Sequence, residues 1–195
     1  MKKIFYLLLF LSMMAPGQAM AEKWRLDPAH SNIYFEVRHT YAAIRGQFGA
    51  FSGEVIFDPG SLGKSRFDFT IKVDSIDTRI GKRDTHLRTP EFFDAKKYPE
   101  ITFRSTKVTT SEDNKYIVDG KLTIKDVTKD LSLVFNYHGQ QENPLKPDDI
   151  VAGFDTNLSI DRLAYHVGDG KFYKMGVVGK DVDILVALEL LRDKQ

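Results

Sequence analysis

The chain of 195 residues has no cysteine. That excludes disulfides, thiol nucleophiles, thiolate metal ligands and redox sensing, and leaves no cysteine to carry a lipid anchor. Neither sign of charge is in surplus, with 28 Lys and Arg against 27 Asp and Glu. A protein that neutralises phosphates gathers basic residues in excess, so nucleic acid is not expected as a partner. Beyond the first twenty-odd residues no apolar run approaches the roughly 20 residues that a membrane-spanning helix needs, so no stable membrane insertion is expected. Catalytic signatures are missing too. There is no Gly-x-Ser-x-Gly elbow, phosphate-cradling loop or dinucleotide fingerprint. Ser61-Leu62-Gly63-Lys64 matches Ser-x-x-Lys, but its companion motifs are absent and it sits in turn-forming sequence. Asn157-Leu158-Ser159 fits a glycosylation pattern short enough to arise at random.

The first segment reads as an export signal. Lys2 and Lys3 precede an apolar run from Ile4 to Met14, Pro16 and Gly17 break it, and Ala19-Met20-Ala21 offers the small residues of a cleavage site. Residues 1–21 are therefore expected to be removed, leaving residues 22–195 as one domain in the periplasm. Without Lys2 and Lys3 the basic residues fall one short of the 27 acidic ones.

Period-two alternation dominates the remainder. Ile33, Phe35 and Val37 alternate with polar neighbours, as do Phe67, Phe69, Ile71 and Val73, then Ile101 and Phe103. Tyr116, Val118, Leu122 and Ile124 share a face that Gly120 interrupts. Leu131 to Tyr137, Phe154 to Ile160 and Val182 to Leu188 follow the same rule. Each is the mark of a half-buried antiparallel strand. A further strand is expected from Ile44 through Phe57, with Gly46, Gly49 and Gly53 marking bends or bulges. Asp58-Pro59-Gly60, Glu112-Asp113-Asn114 and the stretch 143–149 supply turns. The sum is roughly eight strands, the number at which a closed all-β barrel encloses side chains or one small ligand. A β-sandwich competes on pattern alone.

The alternation stops from Ile80 to Pro99. Asp77-Thr78 precedes this stretch as a helix cap, and Pro90 and Pro99 punctuate it, so a long connection with one or two short helical turns is expected. Such connections are usually lids or binding loops. Arg83, Asp84, His86 and Arg88 cluster there. They fit either ion pairs tying the loop to a rim or a polar collar that reads a ligand head group. Phe92 and Phe93 are adjacent, so they cannot face the same way and one is placed to roof the barrel. None of the five histidines has metal-ligand spacing, and Asp84 with His86 supplies too few ligands for zinc. No metal or cofactor is expected.

At these residues the sequence resembles the YceI-like family of periplasmic polyisoprenoid-binding proteins. The resemblance runs through Trp24-x-Leu26-Asp27-Pro28-Ala29-His30-Ser31, Phe35-x-Val37-x-His39, Arg45-Gly46-x-Phe48 and Phe51-x-Gly53. It continues in Ser75-Ile76-Asp77-Thr78, Arg83-Asp84-x-His86-Leu87, Phe92-Phe93-Asp94 and Tyr98-Pro99-x-Ile101-x-Phe103-x-Ser105. It ends with Gly120-x-Leu122-Thr123-Ile124, Val127-Thr128-Lys129, Ile160-x-Arg162 and Val182-x-Ile184. One departure follows Arg162, where the family runs toward Phe-Gly and this chain has Leu163-Ala164-Tyr165-His166.

The resemblance implies a lipocalin-like eight-stranded antiparallel barrel whose apolar interior holds an isoprenoid tail. Phe35, Val37, Phe48, Phe69 and Ile71 are expected to line it, with Phe92, Phe93, Phe103, Leu122 and Phe135. His39, Arg83, His86 and Arg88 are expected at the head group. At about 0.3 kcal/mol per atom a tail of ~40 carbons would yield ~12 kcal/mol, roughly nanomolar affinity, with no catalytic group. The expected partner is an isoprenoid lipid or isoprenoid quinone, and association as a homodimer stays open. Two other classes remain beside this non-enzymatic carrier. One is an enzyme on such a lipid with Asp84 and His86 as acid and base; the other is a stress-related structural protein with bound lipid.

Overall fold

The structure, a computed structural model, describes residues 22–194; the expected export signal lies outside them. The strands are β1 (Lys23–Leu26), β2 (Asn32–His39), β3 (Ala42–Phe48), β4 (Phe51–Ile56), β5 (Arg66–Lys72) and β6 (Ile76–Asp77). After helix α1 (Gly81–Leu87) come β7 (Glu100–Glu112), β8 (Lys115–Ile124), β9 (Val127–Glu142) and β10 (Asp149–Asp161). Helix α2 (Lys171–Lys174) and strand β11 (Val178–Asp193) complete the fold.

These segments form eight antiparallel ribbons in a closed ring. Three ribbons are broken strands. β1 and β2 both lie along β11, with Arg25 opposite Leu191 and Ile33 opposite Val186. β3 and β4 pair with β2 and β1, and β6 and β5 pair with β3 and β4. β7, β8, β9, β10 and β11 then follow in chain order, and the β1–β11 pairing closes the ring. The pattern of alternation holds: along β8, Tyr116, Val118, Leu122 and Ile124 are buried while residues between them are more exposed. The ring is hydrogen-bonded around most of its circumference, but β9 and β10 part beyond Asn136 and Asp155.

The strand expected from 44 to 57 is interrupted at Gly49-Ala50, where β3 ends and β4 begins. Gly46 and Gly53 are not bulges, since β2–β3 and β4–β5 run in unbroken register. The run Asp27-Pro28-Ala29-His30-Ser31 is the corner between β1 and β2. Asp27 accepts from the Ala29 N–H and pairs with His30 Nδ1 at 2.8 Å. Ser31 Oγ donates to the Glu189 carbonyl and accepts from the Glu189 N–H, which locks the corner onto β11.

One end of the barrel is plugged by aromatic rings. Phe57 stands at its centre, with Tyr116 at 4.9 Å, Phe154 at 5.0 Å, Tyr137 at 5.3 Å and Phe67 at 5.8 Å between ring centroids, all edge-on. Phe67 stacks on Phe135 at 5.3 Å. Each such pair contributes roughly 0.5–1.5 kcal/mol beyond the area it buries. The single Trp, Trp24, is buried beneath them and donates its indole N–H to the Phe57 carbonyl at 3.1 Å. One polar atom sits badly in this interior: the Thr156 hydroxyl on β10 is fully buried with no hydrogen-bond partner. Replacing it by the isosteric Val removes a desolvated hydroxyl worth about 1–3 kcal/mol. Thr156→Val should therefore raise the melting temperature by several degrees, measured calorimetrically; a lower melting temperature would mean the hydroxyl is satisfied.

Candidate functional site

Above the aromatic plug the barrel is hollow. A cavity of about 340 Å³ is lined by side chains from all eight ribbons and by the segments crossing the open end. That volume lies within the range of about 300–1,000 Å³ typical of small-molecule sites. Its walls are almost wholly carbon. Ile33, Phe35, Val37, Phe69, Ile71, Phe103 and Leu122 belong to the walls, and Phe135 forms the boundary with the plug.

Three of these rings leave room in the lumen because of glycines across from them. A Cβ on Gly46 would fall 2.3 Å from the tip of the Phe35 ring. One on Gly53 would fall 2.5 Å from Phe69, and one on Gly120 2.5 Å from Phe103. Each ring thus lies flat over a bare stretch of backbone on the neighbouring ribbon instead of projecting into the barrel.

The long connection forms the mouth. A short helix lies in this connection as expected, but α1 starts at Gly81 with Ile80 at its N-cap and no side-chain cap, so the Asp77-Thr78 cap is not made. Asp84, buried on the helix, reaches back and accepts from both the N–H and the hydroxyl of Thr78. Arg83 donates through Nε to Thr78 Oγ1 at 2.7 Å and through Nη2 to the Thr78 carbonyl at 2.6 Å. Arg83 and Asp84 therefore meet on Thr78, not on each other. Arg88 donates to the carbonyls of Asp74 at 2.9 Å and Ile76 at 2.8 Å. His86 Nε2 pairs with Glu91 at 2.6 Å, and its ring packs edge-on against Phe92, which stacks on Phe172. Asp84 and His86 make no hydrogen bond to each other, so the acid–base pair considered from sequence is not assembled.

Of the expected site residues, Phe35, Val37, His39, Phe48, Phe69, Ile71, Arg83, His86, Phe92, Phe93, Phe103, Leu122 and Phe135 all border the cavity. Arg88 does not, because both of its bonded nitrogens are spent on carbonyls of the 73–76 segment. Phe92 and Phe93 both reach the cavity although they are adjacent, since they sit in a turn and point at different partners, Phe172 and Phe48.

Sequence reasoning missed several participants. Thr78 is the hub of the mouth. Arg162 borders the cavity, is buried, and donates to the carbonyls of Gly179 at 2.8 Å and Val167 at 2.7 Å. Burial pulls its guanidinium below the ordinary value, yet an arginine stays protonated. Lys125 clamps two loops by donating to the Phe92 carbonyl at 2.7 Å and the His166 carbonyl at 2.6 Å. The residues that depart from the family pattern form a short 3-10 turn, Arg162–Tyr165, packed against β9. The β9–β10 ladder stops at Asp155, and buried Tyr165, with Lys129 over its ring at 5.3 Å, stands beyond that point. Phe172 follows Gly168-Asp169-Gly170, a stretch whose sequence reads only as a turn.

Asp27, His30 and Glu189 place three metal-capable atoms close together, but on the outer corner away from the cavity. Their hydrogen bonds to the corner itself account for them.

A model of the YceI-like domain matches residues 24–190. The chain belongs to the YceI-like family. It is 32% identical to a UPF0312 protein of Pectobacterium atrosepticum over the full length of both chains. A UPF0312 protein of Vibrio parahaemolyticus is 36% identical, over 73% of this chain and 77% of its own. Among solved structures, Burkholderia cenocepacia BcnA superposes with a TM-score of 0.76 at 29% identity, covering 86% of this chain and 99% of that one. A polyisoprenoid binding domain from Saccharophagus degradans shares the fold, with a TM-score of 0.64 at 18% identity, over 88% of this chain and 98% of its own.

The glycine seats of this YceI-like barrel yield a direct test. Gly46→Ala should push the Phe35 ring into the lumen, costing about 1–3 kcal/mol of stability by overpacking and shrinking the space for any occupant. Melting temperature and the amount of co-purified apolar ligand should fall together; an unchanged ligand load would show that the ring has somewhere else to go. The mouth arginines give a second. Since Arg88 braces the 73–76 segment from outside the cavity, Arg88→Ala should lower the melting temperature and weaken a polar-headed lipid and a bare hydrocarbon equally. Selective loss of the polar-headed ligand would restore Arg88 to the head-group site.

Proposed function

We propose that this protein binds one long apolar lipid of the isoprenoid class, tail first, and carries it without chemical change. The observation that carries the reading is a cavity with hydrocarbon walls, closed at one end by the Phe57 cluster and bordered at the other by α1 and α2. Burial of such a tail contributes up to about 0.8 kcal/mol per CH₂ before costs, so no charged contact is needed for tight binding. Membership of the YceI-like family supports this, as does the shared fold of a polyisoprenoid binding domain. Phe35, Phe48, Phe69, Ile71 and Phe103 hold the tail. His39 and His86 stand nearest the head, which a quinone or prenyl phosphate would both place at the mouth. Arg83 keeps the mouth in shape through Thr78. The signal-like segment at residues 1–21 supports a periplasmic location for this carrier.

The decisive experiment is native mass spectrometry of the exported protein, with extraction and identification of any retained lipid. Phe69→Trp, Phe103→Trp and Leu122→Trp should each reduce occupancy severalfold while leaving the far-ultraviolet circular dichroism unchanged. A full lipid load in all three folded variants would eliminate the internal tail site.

A further inference from the structure

The rim of the mouth combines exposed apolar tips with cations that no carboxylate pairs among the described residues. Four large apolar side chains project from it: Tyr41 is 91% exposed, Met175 62%, Ile80 52% and Tyr173 44%. They come from three separate segments: the β2–β3 turn, the start of α1, and α2 with the residue that follows it. Each lies within two residues of a side chain that lines the cavity, namely His39, Thr78, Phe172 or Val177. The segments are tied together, since the Thr40 N–H donates to the Val177 carbonyl at 2.9 Å and His39 pairs with Val178.

Arg38, Arg79, Lys82, Lys171 and Lys174 stand beside these tips in the same segments. All are exposed, and none has a carboxylate within 4.0 Å among the described residues. On the walls and floor several lysines are paired instead, though Lys107 and Lys129 are not. Lys23 pairs with Glu54, Lys72 with Glu100, Lys115 with Glu112 and Lys121 with Asp130. Of the acidic groups nearby, Glu91 pairs with His86, while Asp77, Asp84 and Asp169 accept from the Arg79 N–H, Thr78 and the Lys171 N–H and keep their charge beside a larger number of cations.

We propose that this rim docks the barrel, mouth first, on the surface of an anionic lipid bilayer. Isolated apolar tips on separate loops make no flat patch for a rigid protein partner, but they can each enter a deformable apolar phase while unpaired cations meet anionic head groups. The tips also surround the opening of the cavity, so a tail passing between bilayer and barrel avoids water. The proposal rests on the cavity being the lipid site for its purpose, but not for its test.

Flotation of the purified protein with vesicles of phosphatidylglycerol and phosphatidylcholine, against phosphatidylcholine alone, decides it at physiological ionic strength. The protein should float with the anionic vesicles and lose this at high salt. Each basic side chain near such a surface contributes about five-fold, so Lys171→Gln/Lys174→Gln should weaken binding roughly 25-fold. Tyr41→Ser/Met175→Ser should weaken it without changing its salt dependence. Residues 1–21 are common to all variants, so differences report the rim. Lipid retained in the cavity, read by mass spectrometry on the same samples, should be unaffected at equilibrium. Equal flotation of all variants would overturn the proposal. So would absence of flotation combined with a dimer that Tyr41→Ser/Met175→Ser dissolves, which would assign the tips to a second copy. An empty cavity with intact, rim-dependent flotation would retain docking and sink the carrier reading instead.

Discussion

Everything in this barrel depends on the closure made by β11. That strand pairs from Asp181 to Asp193 with β10 on one side, and on the other with β2 from Val178 to Ala187 and with β1 at Leu190 and Leu191. Two short strands thereby act as one ribbon, and the corner between them must be fastened where the chain changes partners. Ser31 and Asp27 do this against Glu189, through the backbone of β11 itself. If that corner slipped by one residue, Ile33, Phe35 and Val37 would turn outward and the cavity wall would be lost.

Closing eight ribbons fixes the diameter of the ring but not whether its interior is full. Side-chain size along the axis decides that. At one end Phe57, Phe67, Phe154, Tyr116 and Tyr137 converge from different ribbons and exclude everything else. At the other, rings of equal size are seated over Gly46, Gly53 and Gly120 and stay against the wall. The same residue type therefore fills one half and lines the other, with the difference set by what lies opposite on the neighbouring ribbon.

This explains what the sequence made legible. Alternation at Phe67–Phe69–Ile71 or Leu131–Phe135 reports which face is buried, so the ribbons and most of the wall could be read one strand at a time. β1 and β6 could not, because four and two residues are too few for a period to show. Gly49 marks the expected break, but Gly46 and Gly53 are seats for Phe35 and Phe69 on other ribbons, and cross-strand register is invisible in a linear text. The mouth was legible in place but not in detail. The cluster 83–88 marked the right connection, yet whether Arg83 faces a ligand or Thr78 depends on a hydrogen-bond geometry that spacing does not encode. Arg162, Lys125 and Phe172 carried no local pattern, since each acts by reaching a loop distant in sequence.

The choice of acceptors at the mouth has an electrostatic consequence. Arg88, Lys125 and Arg162 each brace a loop by donating to backbone carbonyls, not to carboxylates. Carbonyls satisfy the hydrogen bonds of a cation but leave its charge uncancelled. The barrel interior beside them is hydrocarbon, which screens poorly, so their field is directed outward through the opening more than it is dissipated inward. A chain whose basic and acidic totals are almost equal thus keeps several cationic charges uncancelled around this opening. The same braces also hold the mouth preformed, so any apolar occupant would order little additional protein and keep most of the free energy its burial releases.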